Sequence, residues 1–345
     1  MKKKISVACF TLAVATTVIF FTKVVISLTY LPLPGAKEPV VFYSNHLNHS
    51  LRRLVLKSLQ TAKDSIDLHT YALTDEAVLS KLLEKSPSLQ SLHILSDDKT
   101  MVKTLKPLQE TLHWEGMKSS GLMHEKILTI DNSLIFLGTA NMTYESLCMH
   151  DNLVIGFYNP PLARYLQEYT EARRHNPKRK NRFPATFTLD EQALQLWMLP
   201  YQGEAPLENL VDLCNKAHHS LSLAIFTLTH PRLIEAMIQA HQRGIQVKVF
   251  LDHTSAHGAS SAAVKALTQA RVPLYFSEGL QLLHHKMLFV DDKVFVLGSA
   301  NWTKSAFKKN HDFYLVLSPL KASQSKTLRR VFHHIEHRAS LQKMS

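Results

Sequence analysis

The chain has 345 residues, 45% apolar and 20% charged, the composition of a globular protein with room for two domains or one large one. Lys plus Arg number 40 against 28 Asp plus Glu, a net charge of +12 before 20 histidines are counted, so nucleic acid and an anionic membrane surface suit it equally as partners. The 3 cysteines, Cys9, Cys148 and Cys214, show no C-x-x-C spacing, which speaks against a disulfide framework or a cysteine-rich zinc site. One Cys148–Cys214 bridge stays open beside the reading of both as buried small hydrophobes.

The N-terminus pairs a positive MKKK with ISVACFTLAVATTVIFF (5–21), which carries no charge. Lys23 interrupts, and VVISLTYLPL runs on to 33 before Pro34 and Gly35. No A-x-A cleavage site follows, so residues 1–35 read as an uncleaved signal-anchor, with a cleaved secretory signal as the alternative. A transmembrane helix from 5 to about 30 would hold Lys2–Lys4 in the cytoplasm and place the rest on the other side of a membrane.

From residue 38 one pattern is laid out twice. A leading strand EPVVFYS (38–44) precedes a helix over 51–64, the alternating strand SIDLHTYALT (65–74), a second helix over 76–86 and the strand SLHILSD (91–97). A strand carrying HEKILTID (124–131) follows, then NSLIFLG (132–138), GTAN (138–141), HDNLVI (150–155) and a closing helix over 162–175. Residues 176–188 form a basic linker. Its surroundings, EARRHNPKRKNRFP (171–184), read as solvated charge or as a phosphate-steering rim. The pattern then returns as LDEQALQLWML (189–199), a helix over 207–219, SLSLAIFTLT (220–229), a helix over 231–244 and QVKVFLD (246–252). HHKMLFVD (284–291), DKVFVLG (292–298), GSAN (298–301), HDFYLV (311–316) and a helix over 320–338 complete it. Strands alternating with helices of this length predict an α/β protein whose halves, 38–175 and 189–340, are similar α/β/α sandwiches.

HEKILTID and HHKMLFVD share the form H-x-K-x4-D. Alternation along a strand sends His124 and Lys126 to one face, as it does His284 and Lys286, while Glu125 and His285 point the other way. Asp131 and Asp291 fall at strand ends before turns and read as structural braces bonded to backbone amides. In GTAN and GSAN the glycine permits close backbone approach. The hydroxyls of Thr139 and Ser299 and the amides of Asn141 and Asn301 are donors of the kind that hold phosphate oxygens. A histidine can attack phosphorus or act as acid and base, and a neighbouring lysine can neutralise the developing charge. Two such half-sites face to face supply a nucleophile and a proton donor.

On these motifs the chain resembles the phospholipase D superfamily, whose HKD motif is H-x-K-x4-D followed by G-[ST]-x-N, over roughly residues 40–340. The resemblance implies two halves related by pseudo-two-fold symmetry, one active site at their interface, and a monomer holding both half-sites. It also implies a phosphohistidine intermediate, no metal or other cofactor, and hydrolysis or exchange of a phosphodiester. Carried onto this sequence, His124 is the nucleophile and His284 the proton donor, with Lys126, Lys286, Asn141 and Asn301 on the phosphoryl oxygens. Asp151 and Asp312 stand where the family often has a histidine-orienting Glu. A phospholipid is the implied substrate. The alternatives are a membrane-anchored, metal-independent endonuclease and a catalytically silent phosphate-binding scaffold.

Other signals are set aside. HHIEH (333–337) has the inverted zinc-protease form but lacks a downstream acidic ligand, and reads as a polar helix face. His69, Asp97, Asp252 and His253 fall at matching strand ends, as cleft lining or as structural hydrogen bonds. Phe42 and Trp197 read as core.

Overall fold

The computed structural model describes residues 31–175, 184–279 and 281–341, with Phe10, Leu12 and Val14. The chain divides into Met1–Leu33 and Pro34–Ser345, and all the elements below lie in the second unit. Among the described residues no helix is long and apolar enough to cross a membrane. Apart from Phe10, Leu12 and Val14, the expected membrane helix over 5–30 falls outside the described residues, as does the basic core of the linker at 176–183.

In the first half, β1 (Val40–Tyr43), β2 (Ser65–Thr70), β3 (Ser91–Asp97), β4 (Trp114–Met117), β5 (Lys126–Ile130), β6 (Leu134–Gly138) and β7 (Val154–Tyr158) form one sheet. Their order is β1-β7-β6-β5-β2-β3-β4. The pairs β2–β3 and β3–β4 are parallel, while the H-x-K strand β5 runs antiparallel between β2 and β6. Parallel pairing needs a crossover, which the helix Glu76–Lys85 supplies between β2 and β3. Asp75 starts that helix by accepting from the amides of Ala77 and Val78, both at 3.0 Å.

The second half repeats the plan with a longer sheet. Its strands are β8 (Ala185–Leu189), β9 (Gln192–Leu199), β10 (Ser220–Ile225), β11 (Gln246–Leu251), β12 (Leu274–Ser277), β13 (Lys286–Val290), β14 (Val294–Gly298), β15 (Asp312–Ser318) and β16 (Ala339–Leu341). They lie in the order β16-β12-β11-β10-β13-β14-β15-β9-β8. Both halves therefore have mixed sheets of the α/β class. The β5–β6 and β13–β14 hairpins turn through residues with left-handed φ, Asp131 and Asn132 (both +48°) and Asp291 and Asp292 (+51° and +57°). Asn and Asp tolerate that region better than other residues with a Cβ, which is why DN and DD end the two motifs. The alternating pattern does not assign the helix Asp98–Leu105 with β4, or the helices His253–His257 and Ser261–Gln269 with β12. Strands of four residues are too short to show alternation.

Among the described residues the first half buries Leu54, Leu59, Leu82 and Ile94 within itself, and two further apolar cores involve the second half. One lies on the outer face of the second sheet, where Leu210, Met237 and Leu267 of its helices meet Leu223 and Leu251. The other is shared between the halves: Ile127, Ile135, Ile155 and Phe157 pack with Met287, Phe289, Phe295 and Leu315. The helices Pro160–His175 and Ala322–His337 add Leu166 and Val331 to it. Each such fully buried side chain contributes about 1.5–3 kcal/mol, so the two halves are held as one body. Phe42 and Trp197 are buried in these cores, as the sequence predicts.

Candidate active site

His124 stands just before β5 and His284 just before β13. Each is fixed by its own half. Asp97 accepts the Met123 amide on Oδ2 (3.1 Å) while its Oδ1 caps the following helix at Thr100. Asp252 does the same for the Leu283 amide (3.0 Å) and Thr254. These two aspartates thus position the histidine-bearing loops through their backbones. Asp131 and Asp291 brace the same strands from the far end. Asp131 accepts from the amides of Lys63, Asp64 and Ser65, and Asp291 from those of His218, His219 and Ser220. The braced amides lie at the entry to β2 and β10, not in the Asp residues' own turns.

Each histidine is also fixed by the opposite half. The His124 amide donates to the His311 carbonyl (2.8 Å), and the His284 amide to the Asp151 carbonyl (3.0 Å). The residue after each carbonyl then meets the imidazole: His124 Nδ1 lies 2.8 Å from Asp312 Oδ1, and His284 Nδ1 lies 3.0 Å from Asn152 Oδ1. Both contacts engage Nδ1 and leave Nε2 to the other side of the ring. Here the structure corrects the sequence expectation. The counterpart of Asp312 is Asn152, not Asp151, whose carboxylate instead meets His46 Nε2 (3.0 Å) and Arg338 Nη1 (3.5 Å). Matching the two HD dipeptides misplaces the register by one residue. Counting from Thr139 and Ser299, which each sit 13 residues before their partner, gives the right one.

The hydroxyls are corrected as well. Thr139 Oγ1 donates to Asn152 Oδ1 and Ser299 Oγ to Asp312 Oδ1, each at 2.7 Å, so they hold the histidine's support and are not turned to a phosphate. The preceding glycines serve strand packing. A Cβ at Gly138 would come within 2.6 Å of the Leu153 carbonyl oxygen, and one at Gly298 within 2.2 Å of that of Phe313. Asn301 accepts the Thr227 amide on Oδ1 (3.3 Å), which leaves its NH2 as the end that can donate. The Oδ1 of Asn141 is buried with no hydrogen-bond partner among the described residues.

Lys126 and Lys286 are only 2% exposed, and each ammonium donates to the carbonyl of its own half's histidine, at 2.7 and 2.8 Å. Burial pushes Lys126 down to about 7. Burial and the facing Lys126 put Lys286 well below the ordinary lysine value. Burial and Lys126 also lower His124, against the pull of Asp312. His284, with no carboxylate behind it, is held well below its usual value by burial, Lys286, Lys126 and His124. The backbone bridges Met123–His311 and Asp151–Leu283 hold the half-sites together. Positive charge among the four groups lowers the affinity of His124, His284 and Lys286 for protons, a crowding that an anion would relieve. The rings of Tyr71 and Phe226 stand 5.5 and 5.4 Å from His124 and His284 and under the two lysines. Sequence reasoning did not single them out. Their matching place at the ends of SIDLHTY and SLSLAIF is the signal that could have found them.

Behind the first motif lies a buried network. Glu125 takes Arg173 Nη1 (2.8 Å) and His69 Nδ1 (2.9 Å), and the other Arg173 nitrogen Nη2 reaches His311. Burial opposes its charge, but Arg173 and His69 hold Glu125 down at about 2. Burial likewise opposes charge on His69, which Asp67 and Glu125 keep up at about 9. His69 is therefore structural. The cysteines at 148 and 214 are free. Among the described residues no group of His, Cys, Asp or Glu has a metal-binding arrangement, HHIEH included.

A family model described as "Cardiolipin synthase, PLD-like domain" matches this chain twice, over residues 55–174 and 210–335. The chain belongs to the phospholipase D superfamily. Among curated relatives, the mitochondrial cardiolipin hydrolase of Xenopus tropicalis is 33% identical over 161 residues, 45% of this chain and 73% of that protein. The one from Mus musculus is 30% identical over 145 residues, 39% of this chain and 65% of that protein. The chain thus spans somewhat under two thirds of the mouse relative. Among solved structures, the phosphatidylserine synthase of Haemophilus influenzae Rd KW20 superposes with a TM-score of 0.71 over 93% of this chain and 92% of its own. At 12% identity that likeness shows the phospholipase D fold alone.

Proposed function

We propose that this protein is a phospholipid phosphodiesterase of the phospholipase D type, working through a phosphohistidine. The observation that carries the reading is the pair of imidazoles, each held at Nδ1 from the opposite half, with a buried lysine on the backbone carbonyl of each. His124 Nε2 attacks phosphorus, and the bond to the leaving alcohol breaks as that oxygen takes the proton from His284 Nε2. Water then attacks the phosphohistidine and gives its proton to His284. The P–N bond breaks, releasing a phosphate monoester and free His124. Lys126, Lys286, Asn141 and Asn301 bind the non-bridging oxygens.

The supports assign the roles. The attacking histidine becomes a phosphorylated cation, which the Asp312 carboxylate stabilises. The proton donor must let its proton go, and a neutral Asn152 leaves His284 the stronger acid. The named relatives act on cardiolipin, and the phospholipid substrate is carried from them. Membrane association follows from that substrate. The net charge of +12 favours the endonuclease reading as the second choice.

The test is an assay of the detergent-solubilised full chain on phospholipid vesicles and on single- and double-stranded DNA and RNA, with chelator present. Lipid alcohol release that disappears in His124→Ala and His284→Ala supports the reading. Nucleic-acid cleavage without lipid turnover, lost in the same variants, replaces it with the nuclease.

A further inference from the structure

Exposed apolar side chains collect at the mouth of this site. From Pro34 on, the large hydrophobics exposed among the described residues are Leu122, Tyr144, Met149 and Tyr158, and the first three stand within three residues of His124, Asn141 or His150. Leu122 lies two residues before His124 on a loop packed onto the second half, where its amide donates to Asn310 Oδ1 (3.1 Å). Tyr144 and Met149 bracket the short helix Tyr144–Cys148, and the next residue, His150, sets its ring 6.3 Å from that of His284.

The second half builds the same helix, Lys304–Lys308, with the same cap: Thr143 accepts from the Ser146 amide, and Thr303 from that of Ala306. The buried positions correspond, Ser146 to Ala306 and Leu147 to Phe307. The exposed ones do not. Tyr144, Cys148 and Met149 face water on the first lip, and Lys304, Lys308 and Lys309 take their places on the second. The first lip carries Glu145 and, 5.6 Å over the Tyr144 ring, Arg52, whose charge is taken by Asp75 at 2.7 Å; the second carries no acid of its own, and Lys308 reaches Glu204 at 3.4 Å across an exposed pair. The fold fixes the helix and its inner face, so the outer residues are at liberty to serve the mouth. A dissolved polyanion would be met by lysines on both lips. An apolar lip opposite a cationic one matches a surface that is greasy and negatively charged at once.

We propose that the mouth docks on an anionic phospholipid bilayer, with Leu122, Tyr144 and Met149 entering among the headgroups. Lys304, Lys308 and Lys309 lie against lipid phosphates, so the scissile phosphodiester reaches His124 and His284 without leaving the leaflet. This rests on the phospholipid reading above and names the surface that presents the substrate.

Cys148, exposed between the two apolar residues, gives the probe. In the full chain carrying Cys9→Ser, an environment-sensitive dye on Cys148 is expected to shift to the blue on vesicles containing an anionic phospholipid, and not on pure phosphatidylcholine. Replacing Leu122, Tyr144 and Met149 together by Ser should lower the ratio of vesicle turnover to turnover of soluble bis(4-nitrophenyl) phosphate by about tenfold, the soluble ester reporting an intact fold and site. Lys304, Lys308 and Lys309 changed to Ser should remove the preference for anionic vesicles. A dye that stays in water while vesicle lipid is being hydrolysed overturns the docking proposal and leaves the phosphodiesterase reading standing. Absence of lipid hydrolysis alongside nucleic-acid cleavage overturns both.

Discussion

Behind His124 stands a carboxylate and behind His284 an amide, although both supports reach across from the opposite half at similar distances, 2.8 and 3.0 Å. The hydroxyls that hold the supports are at 2.7 Å in both. The difference continues one layer deeper. Glu125 is buried with Arg173 and His69, whereas its counterpart His285 is buried with neither ring nitrogen hydrogen-bonded among the described residues and is pushed by burial to about 3. The duplicated fold therefore demands only an acceptor of the right shape behind each imidazole. On the roles proposed above, charge is kept on the side of the histidine that becomes a cation, and is absent from the side that must release a proton.

The largest effect that separates the half-sites is in the leaving group. On an alkyl phosphodiester, His124→Ala and His284→Ala should each lose about a thousandfold or more in kcat. A nitrophenolate departs without a proton. On a nitrophenyl ester, His284→Ala should therefore still release a burst of nitrophenolate and hold a phosphohistidine, detectable by mass spectrometry, whereas His124→Ala should show neither. A burst in His124→Ala and none in His284→Ala would reverse the assignment.

The second effect is on stability. Arg173 is 8% exposed and Glu125 fully buried, so Arg173→Met leaves the buried carboxylate with His69 as its one remaining ion-pair partner among the described residues and should cost about 3 kcal/mol in chemical denaturation. Glu125→Gln combined with Arg173→Met should recover most of that loss. Because Arg173 also reaches His311, beside Asp312, the single variant should lower kcat more than it raises KM. Equal stability of the single and double variants would show that the pair does not act as a unit.

Much of this was legible in the sequence, for reasons that particular residues show. The H-x-K spacing on strands with apolar neighbours announced His124, Lys126, His284 and Lys286, and left-handed turns explain Asp131 and Asp291. Local pattern failed where the partner came from the other half. Nothing in the HDNLVI segment says that Asn152 and not Asp151 will face His284, because the choice is made by the Asp151–Leu283 backbone bridge between halves. Thr139 and Ser299 were likewise misassigned to phosphate, since a hydroxyl in sequence does not reveal which acceptor lies nearest. The Glu125–Arg173–His311 link joins residues separated by 48 and 138 positions, beyond any periodicity.

The finest discrimination is between amide and carboxylate at one atom pair. Asn152→Asp would give His284 the support that His124 has. A carboxylate there stabilises the imidazolium, so the low pKa of His284 should rise. The proton donor works only while protonated, and its pKa sets the alkaline limb of kcat/KM. That limb should therefore move to higher pH, while the plateau falls several-fold because the donor has become a weaker acid. Asp312→Asn acts on the other partner. It removes the charge that favours the phosphohistidine and should lower the rate by about a hundredfold with an alkyl or a nitrophenyl ester, since it acts on attack and not on departure. The double exchange, Asn152→Asp with Asp312→Asn, keeps both acceptors and swaps only the charge. If charge placement assigns the roles, the nitrophenolate burst should survive loss of His124 in that background and vanish with loss of His284. A burst that still follows His124 would mean that the direction of attack is set by how the substrate lies against Tyr71 and Phe226.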